Sequence, residues 1–415
     1  MEKKKILISA YAFNPLASLQ LHPGEDTMGW KMVEQISRKQ DVWVITHSYN
    51  REGVLEALSR GEMPGVNIHF LELPTFLWKL YRVEFGQRLY YYFWQRSAWK
   101  KAKQLHQEHD FDLIHHLTFG NDWIPSFMGA NLPIPFIWGP IGGGQRTPKK
   151  LSREYSVYGR FAESIRRTAQ WLGRRLPTRR KCVKRAQTIL VCNRETKKKI
   201  PKKYRQKVRY FPVNGIDKTD IRVKLVRMRK QKKFRVITAG RMHRLKGFEL
   251  AVKAFHLFAG NNSDAEMIII GRGPEKKRIE NLILELNLED RVFVLDWMER
   301  KDLFKQMRRS DVFLFASFRD GGGAVVVEAM ASGLPVICLN TAGPGFHIKD
   351  KFGIKIQPNS TDYVIAEMAK ALDRLSNNEQ LRAEMGEAAR KRAKDYYEWT
   401  KLGSRMIEIY SKILG

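Results

Sequence analysis

The chain has 415 residues, 43% of them hydrophobic, with ten Trp, three Cys and a formal net charge of +32. That length fits two domains of about 200 residues better than one, and the apolar and Trp content excludes a disordered chain. No window of about 18 uninterrupted apolar residues occurs, which excludes a spanning helix. Cys182, Cys192 and Cys338 are odd in number and lack CxxC spacing, so they read as reduced thiols of a cytosolic protein, not a disulfide or zinc framework.

A basic start and a brief apolar run, residues 6–10, precede Asn14-Pro15, which predicts a first buried strand in place of a signal peptide. Pro23-Gly24-Glu25 then opens a helix, with Asp26 as its predicted cap. Apolar runs at 42–46, 66–71, 113–117, 136–138 and 188–192 alternate with amphipathic stretches and predict strands alternating with helices. Residues 76–99 carry ten aromatics (among them Phe76, Tyr81, Phe85, Tyr90, Tyr91, Trp94) interleaved with Lys79, Arg82, Arg88 and Arg96. Such a segment suits a bilayer interface, or equally a core-facing helix with a basic outer face. Asp110-Phe-Asp112 has the Asp-x-Asp spacing of a metal site but precedes a strand instead of following one, so it reads as a loop at the wrong sheet edge. With no HExxH-type spacing either, no metal is expected. His115 and His116 stand at the carboxyl end of that same strand.

Residues 146–235 hold 32 Lys/Arg against 5 Asp/Glu, a net +27. So dense a cluster repels itself unless an anionic partner offsets it, and a membrane surface or nucleic acid would do so; a merely solvated basic face is the plainer alternative. Within it, residues 158–185 add apolar positions (Phe161, Ile165, Trp171, Leu172, Leu176) among arginines. No RNP or KH signature is present, so specific nucleic-acid recognition is not expected.

Asn214-Gly215-Ile216-Asp217 marks a turn and the predicted joint. Beyond it, apolar runs at 235–239, 267–270, 292–295, 312–315 and 336–339 repeat the alternation, and after residue 361 the chain turns helical. The expected fold is α/β: two doubly wound Rossmann-like domains with parallel sheets, 1–213 and 214–395, a last helix 396–415 returning to the first domain, and an interdomain cleft.

Four strand ends of the second half open into ligand-type loops. The first, Gly240-Arg241 to Lys246-Gly247, offers one planar and one flexible cation, suited to a diphosphate. The next two are Gly271-Arg272-Gly273-Pro274-Glu275 and Asp296-Trp297-Met298. In the fourth, Asp320 leads into Gly321, Gly322, Gly323 and Ala324, where backbone can approach a ligand closely, and Glu328 follows one turn into a helix. A carboxylate there only accepts hydrogen bonds, which suits a ribose diol.

The order Gly-Arg…Lys-Gly, then Gly-x-Gly-Pro-Glu, then an acid, seven residues and Glu-Ala-Met-Ala-x-Gly-x-Pro-Val resembles family 4 glycosyltransferases of the GT-B fold across residues 234–358. Residues 11–30, His115-His116 and Gly139-Pro-Ile-Gly-Gly-Gly144 are similar to a bacterial subgroup with glycine-rich loops in both domains. This resemblance implies a retaining glycosyltransferase that moves a sugar from a nucleotide-sugar donor, without metal or other cofactor, to a glycan or lipid-linked acceptor in bacterial surface-polysaccharide or glycolipid synthesis. It implies Arg241 and Lys246 on the diphosphate, Glu328 on the ribose, Asp320 and residues 321–324 at the donor sugar, Gly271 and residues 296–298 around the donor, Gly24 near the phosphate, and His116 as a donor-contacting histidine. Two positions depart from the pattern: Asp320 stands where the family usually has Glu, and Pro23-Gly24-Glu25 where the subgroup has Gly-Ser-Glu. The basic, aromatic surface then implies a cytoplasmic enzyme peripheral to an anionic inner membrane face. A non-catalytic basic nucleic-acid- or membrane-binding protein on the same GT-B scaffold, or a sugar-nucleotide epimerase of that fold, is the alternative.

Overall fold

The computed structural model describes residues 3–16, 22–82, 86–148, 150–151, 157–221 and 233–415. Phe85 and most of the charged stretch after the joint lie outside the described residues, as do the side chains of Tyr81, Arg82 and Tyr158. The chain forms two compact units. The first comprises Met1–Gly144, Tyr158–Val213 and Trp399–Gly415; the second comprises Gln145–Val157 and Asn214–Glu398.

The first unit holds a seven-stranded parallel sheet: β1 (Lys5–Ser9), β2 (Asp41–His47), β3 (Asn67–Leu71), β4 (Leu113–His116), β5 (Phe136–Ile141), β6 (Thr188–Val191) and β7 (Val208–Tyr210), in the order β3-β2-β1-β4-β5-β6-β7. The second holds six: β8 (Phe234–Ala239), β9 (Ala265–Ile270), β10 (Val292–Leu295), β11 (Val312–Phe315), β12 (Val336–Leu339) and β13 (Gly353–Ile356), in the order β10-β9-β8-β11-β12-β13. Each sheet is buried on both faces. Leu7 packs into one core of the first unit while Ile6 and Ile8 enter another, and Met267 and Ile269 divide from Ile268 and Ile270 in the same way in the second. Side chains alternate with period two, so a doubly covered strand must be apolar at every position.

Strand order reverses between β1 and β4 in one unit and between β8 and β11 in the other. At such a switch point the flanking crossovers go to opposite faces and leave a crevice beyond the carboxyl ends. These are the places where each unit can hold a ligand.

Several local expectations differ from the fold. β7 and β13 were not anticipated; each borders only one neighbour, so a three-residue Val-Arg-Tyr and a half-polar Gly-Ile-Lys-Ile suffice there. Asp26 does not cap the first helix. Pro23–Ser37 starts three residues earlier, and from inside it Asp26 Oδ2 accepts the His22 N–H at 2.8 Å. Much of the aromatic segment is core: Tyr90, Tyr91 and Trp94 are wholly buried, gathered around Tyr11 and His47, while Phe76 remains exposed. Asp112 accepts the Lys5 N–H at 2.8 Å at the amino end of β1. The last helix, Trp399–Leu414, packs on Pro23–Ser37, and its Tyr410 hydroxyl lies 2.7 Å from His115 Nδ1.

Candidate active site

In the second unit the four strand-end loops form one connected surface. The Met242 N–H donates to Arg272 O at 2.8 Å, joining the loop after β8 to that after β9, and the Gly271 N–H donates to Leu295 O at 3.0 Å, joining β9 to β10. Toward β11, the Phe318 N–H and the Ser317 hydroxyl both donate to Leu245 O. Gly247 caps helix Phe248–Ala259 at φ 67°, and a Cβ there would lie 2.2 Å from Ala316 O. Only glycine allows the two loops to approach so closely.

The center of this surface is an ion pair. Lys246 Nζ lies 2.5 Å from Asp320 Oδ2, both side chains mostly buried. Asp320 Oδ1 accepts the N–H groups of Gly323 at 2.6 Å and Gly322 at 3.2 Å. Burial pushes the Asp320 carboxyl up, but the Lys246 charge and hydrogen bond and the two backbone donors outweigh it and hold the pKa below the ordinary value. Asp320 thus organises the glycine loop. It stands in for a side-chain cap on helix Ala324–Ala331, whose cap position is Gly323 at φ 61°. That helix opens with three consecutive valines after Ala324, poor helix formers, and is held by burying Val326 and Val327 in the core.

Two further residues hold the loop from behind. Gly322 O accepts from Asn214 Nδ2 at 2.8 Å and lies 2.6 Å from His347 Nε2; His347 Nδ1 lies 2.7 Å from the Tyr397 hydroxyl. A carbonyl only accepts, so Nε2 carries the proton and the tyrosine donates to Nδ1. Burial lowers the His347 pKa to about 4, which keeps this ring neutral.

Glu328 lies one turn into the helix, and its Oε1 is 3.0 Å from Arg300 Nε. Arg300 also meets Asp220 Oδ2 at 2.5 Å and Asp217 Oδ2 at 3.5 Å. Burial would lower the guanidinium pKa, but Glu328, Asp220 and Asp217 raise it above its ordinary value. Glu328 Oε2 bonds to no described residue, so one oxygen is anchored and the other is available. Arg241 is exposed, and its side chain pairs with no described residue. Lys276 Nζ holds Asp296 at 2.6 Å, Arg272 lies 5.4 Å over the exposed Trp297 ring, and Met298 packs on the core below. Among the described residues no cluster of His, Cys, Asp or Glu could hold a metal ion.

In the first unit, His116 and Gly24 lie near the β1–β4 switch point. His116 is buried; its Nε2 lies 3.1 Å from the Tyr91 hydroxyl and its Nδ1 has no partner. Burial, then the neighbouring His115, lower its pKa to about 3, so it is a neutral group. His115 is locked between Gly139 O and Tyr410. Gly24 is exposed in the first turn of its helix, and the next residue, Glu25, accepts the Phe119 N–H at 2.9 Å. Burial raises the Glu25 carboxyl pKa against the pull of Phe119 and Arg88. Asp26 is likewise raised, to about 7, by burial despite its bonds to His22 and Tyr49. Sequence reasoning missed Arg300, His347, Tyr397 and Asn214. His347, two residues after Gly343-Pro344-Gly345 in the short helix Ala342–His347, was the one visible signal.

Residues 218–392 match the family model of glycosyl transferases group 1. That match covers less than half of the chain. The curated relatives agree over the same kind of span. The chain is 30% identical over 164 residues to an uncharacterized glycosyltransferase of Haemophilus influenzae, covering 39% of this chain and 44% of that protein. It is 30% identical over 187 residues, 44% of this chain and 45% of the relative, to D-inositol 3-phosphate glycosyltransferase of Paenarthrobacter aurescens. The chain thus spans less than half the length of the curated relatives it matches. Solved structures extend the likeness of fold to nearly the whole chain: Anabaena HepE in complex with UDP superposes with a TM-score of 0.65 at 16% identity, covering 99% of this chain and 100% of that one. WaaG, a glycosyltransferase involved in lipopolysaccharide biosynthesis, gives 0.61 at 15% identity, covering 97% and 99%. The fold of the chain is GT-B, with two Rossmann-like domains.

Proposed function

We propose that the protein is a retaining, metal-independent glycosyltransferase of the family 4 type. It moves a sugar from a nucleotide-sugar donor to a glycan or lipid-linked acceptor in bacterial surface-polysaccharide or glycolipid synthesis. The observation that carries this reading is the loop surface of the second unit, where Lys246, Asp320 and the N-terminus of helix Ala324–Ala331 meet at the switch point with Glu328 one turn away. UDP in the HepE complex supports a nucleoside diphosphate as the common handle.

In this reading Arg241 and Lys246 take the diphosphate and stabilise the negative charge that grows on it as the sugar leaves. Lys246 exchanges part of its contact with Asp320 for the phosphate, and Asp320 keeps the glycine loop in shape for the donor sugar. Glu328 Oε2 accepts from the ribose hydroxyls while Arg300 fixes Oε1. Gly271, Asp296, Trp297 and Met298 line the nucleoside, with the Trp297 face offered to the base. Gly24 and the neutral His116 of the first unit are donor-contacting residues in the same reading. A place on the inner face of the cell membrane belongs to the same reading, since lipid-linked acceptors lie there and the +27 segment is drawn to anionic lipid.

Thermal shift against UDP-, GDP- and ADP-sugars, followed by donor turnover with and without acceptor, tests it. We expect stabilisation by one nucleotide class and slow donor hydrolysis. Absence of both leaves a non-catalytic binding protein, and conversion of the donor sugar without acceptor or hydrolysis leaves an epimerase.

A further inference from the structure

Helix Val157–Arg175 is built inside out. Its polar stripe faces the protein: Glu163 is 8% and Gln170 3% exposed, and Arg174 pairs with the buried Asp122 at 2.5 Å and reaches Gly143 O at 3.3 Å. Glu163 is in turn held by Arg166 at 2.6 Å and by Arg167 at 3.4 Å. Its apolar stripe faces solvent: Phe161 is 63%, Ile165 39% and Leu172 54% exposed, at the spacing that places them along one side of a helix. Trp171 beside them is 50% exposed, with the Arg175 guanidinium 3.6 Å above its ring. An amphipathic helix normally buries its apolar side. Here the buried ion pair with Asp122 fixes the rotation, so the apolar side is presented outward.

We propose that this stripe inserts into the headgroup region of an anionic membrane and is the element that docks the enzyme on its acceptor's surface; the proposal rests on the glycosyltransferase reading only for its purpose. Charge selects the occupant. The following helix, Pro177–Arg185, exposes Arg180, Lys181 and Lys184, and both helices lie in the +27 segment. A second copy of this chain would bring that charge against itself, whereas anionic lipid offsets it. Apolar side chains flanked by arginine and lysine on a helix that does not span are the pattern of interfacial insertion. Among the described residues no helix is long and apolar enough to cross a membrane.

The test is flotation of the full chain with phosphatidylglycerol–phosphatidylethanolamine vesicles and with phosphatidylcholine vesicles, alongside sedimentation velocity without lipid. Wild type should float with the anionic vesicles and not with phosphatidylcholine. The triple variant Phe161→Ser, Ile165→Ser, Leu172→Ser should lose about tenfold in anionic-vesicle affinity while keeping the thermal shift that wild type shows with its nucleotide sugar among the UDP-, GDP- and ADP-sugars. Should that variant not fold, Arg180→Glu with Lys181→Glu and Lys184→Glu carries the same expectation. Wild type that does not float, or floats equally with both lipids, overturns the proposal. So does a variant that floats like wild type, or one that only turns a dimer into a monomer. Because nucleotide binding is read separately, loss of flotation with nucleotide binding intact leaves the glycosyltransferase reading standing, and a wild type that responds to none of the UDP-, GDP- and ADP-sugars removes that reading without touching this one.

Discussion

Glu328 owes its orientation to Arg300, whose Nε and Nη1 meet three carboxylates. Anchoring one carboxylate oxygen leaves the other with a fixed direction, and fixed direction is what a ribose diol needs. Glu328→Ala should reduce turnover about a hundredfold or more with melting temperature little changed, read by initial rates and calorimetry; near-normal turnover would sink its assignment. Arg300→Gln should raise the donor Kd about tenfold at nearly constant kcat, because it loosens an acceptor and removes none. A drop in kcat alone, with Kd untouched, would show that Arg300 acts elsewhere. Lys246 differs in kind. Its partner Asp320 is mostly buried, so Lys246→Ala both removes a cation from the proposed diphosphate site and leaves that carboxylate held by backbone alone. We expect loss of turnover together with a lower melting temperature, and Lys246→Arg should restore the second more than the first.

The glycine loop between β11 and helix Ala324–Ala331 is held from both sides, by Asp320 at its N–H groups and by Asn214 and His347 at Gly322 O. A Cβ on Gly323 would lie 3.2 Å from His347 Cδ2 in a left-handed backbone, φ 61°. Gly323→Ala should therefore cost about 1–2 kcal/mol by denaturant unfolding and displace the loop, weakening donor binding. Stability within error of wild type would refute the strain. Sequence alone identified this loop, its helix and the acids on either side, since glycine, strand and helix signals are local. It did not supply the anchors. His347 and Tyr397 meet across fifty residues and Arg300 meets Asp220 across eighty, and no local pattern encodes such pairings.

Among the described residues, the buried imidazoles His47, His115, His116 and His347 and the half-buried His69 have pKa values lowered chiefly by burial, while burial raises the carboxyls of Glu25 and Asp26. A histidine lowered in the fold takes its proton only on unfolding. Stability from this source is therefore full above the unfolded value near 6.5 and is lost as pH falls toward about 4. The two raised carboxyls work the other way, favouring the fold at low pH, but they are fewer. The melting temperature should fall steadily from pH 7 to pH 4.5, and a rise over that range would contradict the neutral, buried histidines. The thiols of Cys182 and Cys338, pushed up to about 12 by burial, should stay unreactive to alkylation until the fold opens.

Fold class and the strand-end loops of the second unit were readable from residue order, because a doubly covered parallel strand must be apolar throughout and a close loop must be glycine, and both are properties of neighbours in the chain. Which way a helix turns and which carboxylate faces which cation were not readable. Residues 158–185 and 76–99 both interleave aromatic with basic residues. Yet Asp122 rotates one helix so that its apolar side faces out, while Tyr11 and His47 gather the other's aromatics into the core. Those rotations come from single buried contacts between distant segments, and such contacts exist only once the chain has folded.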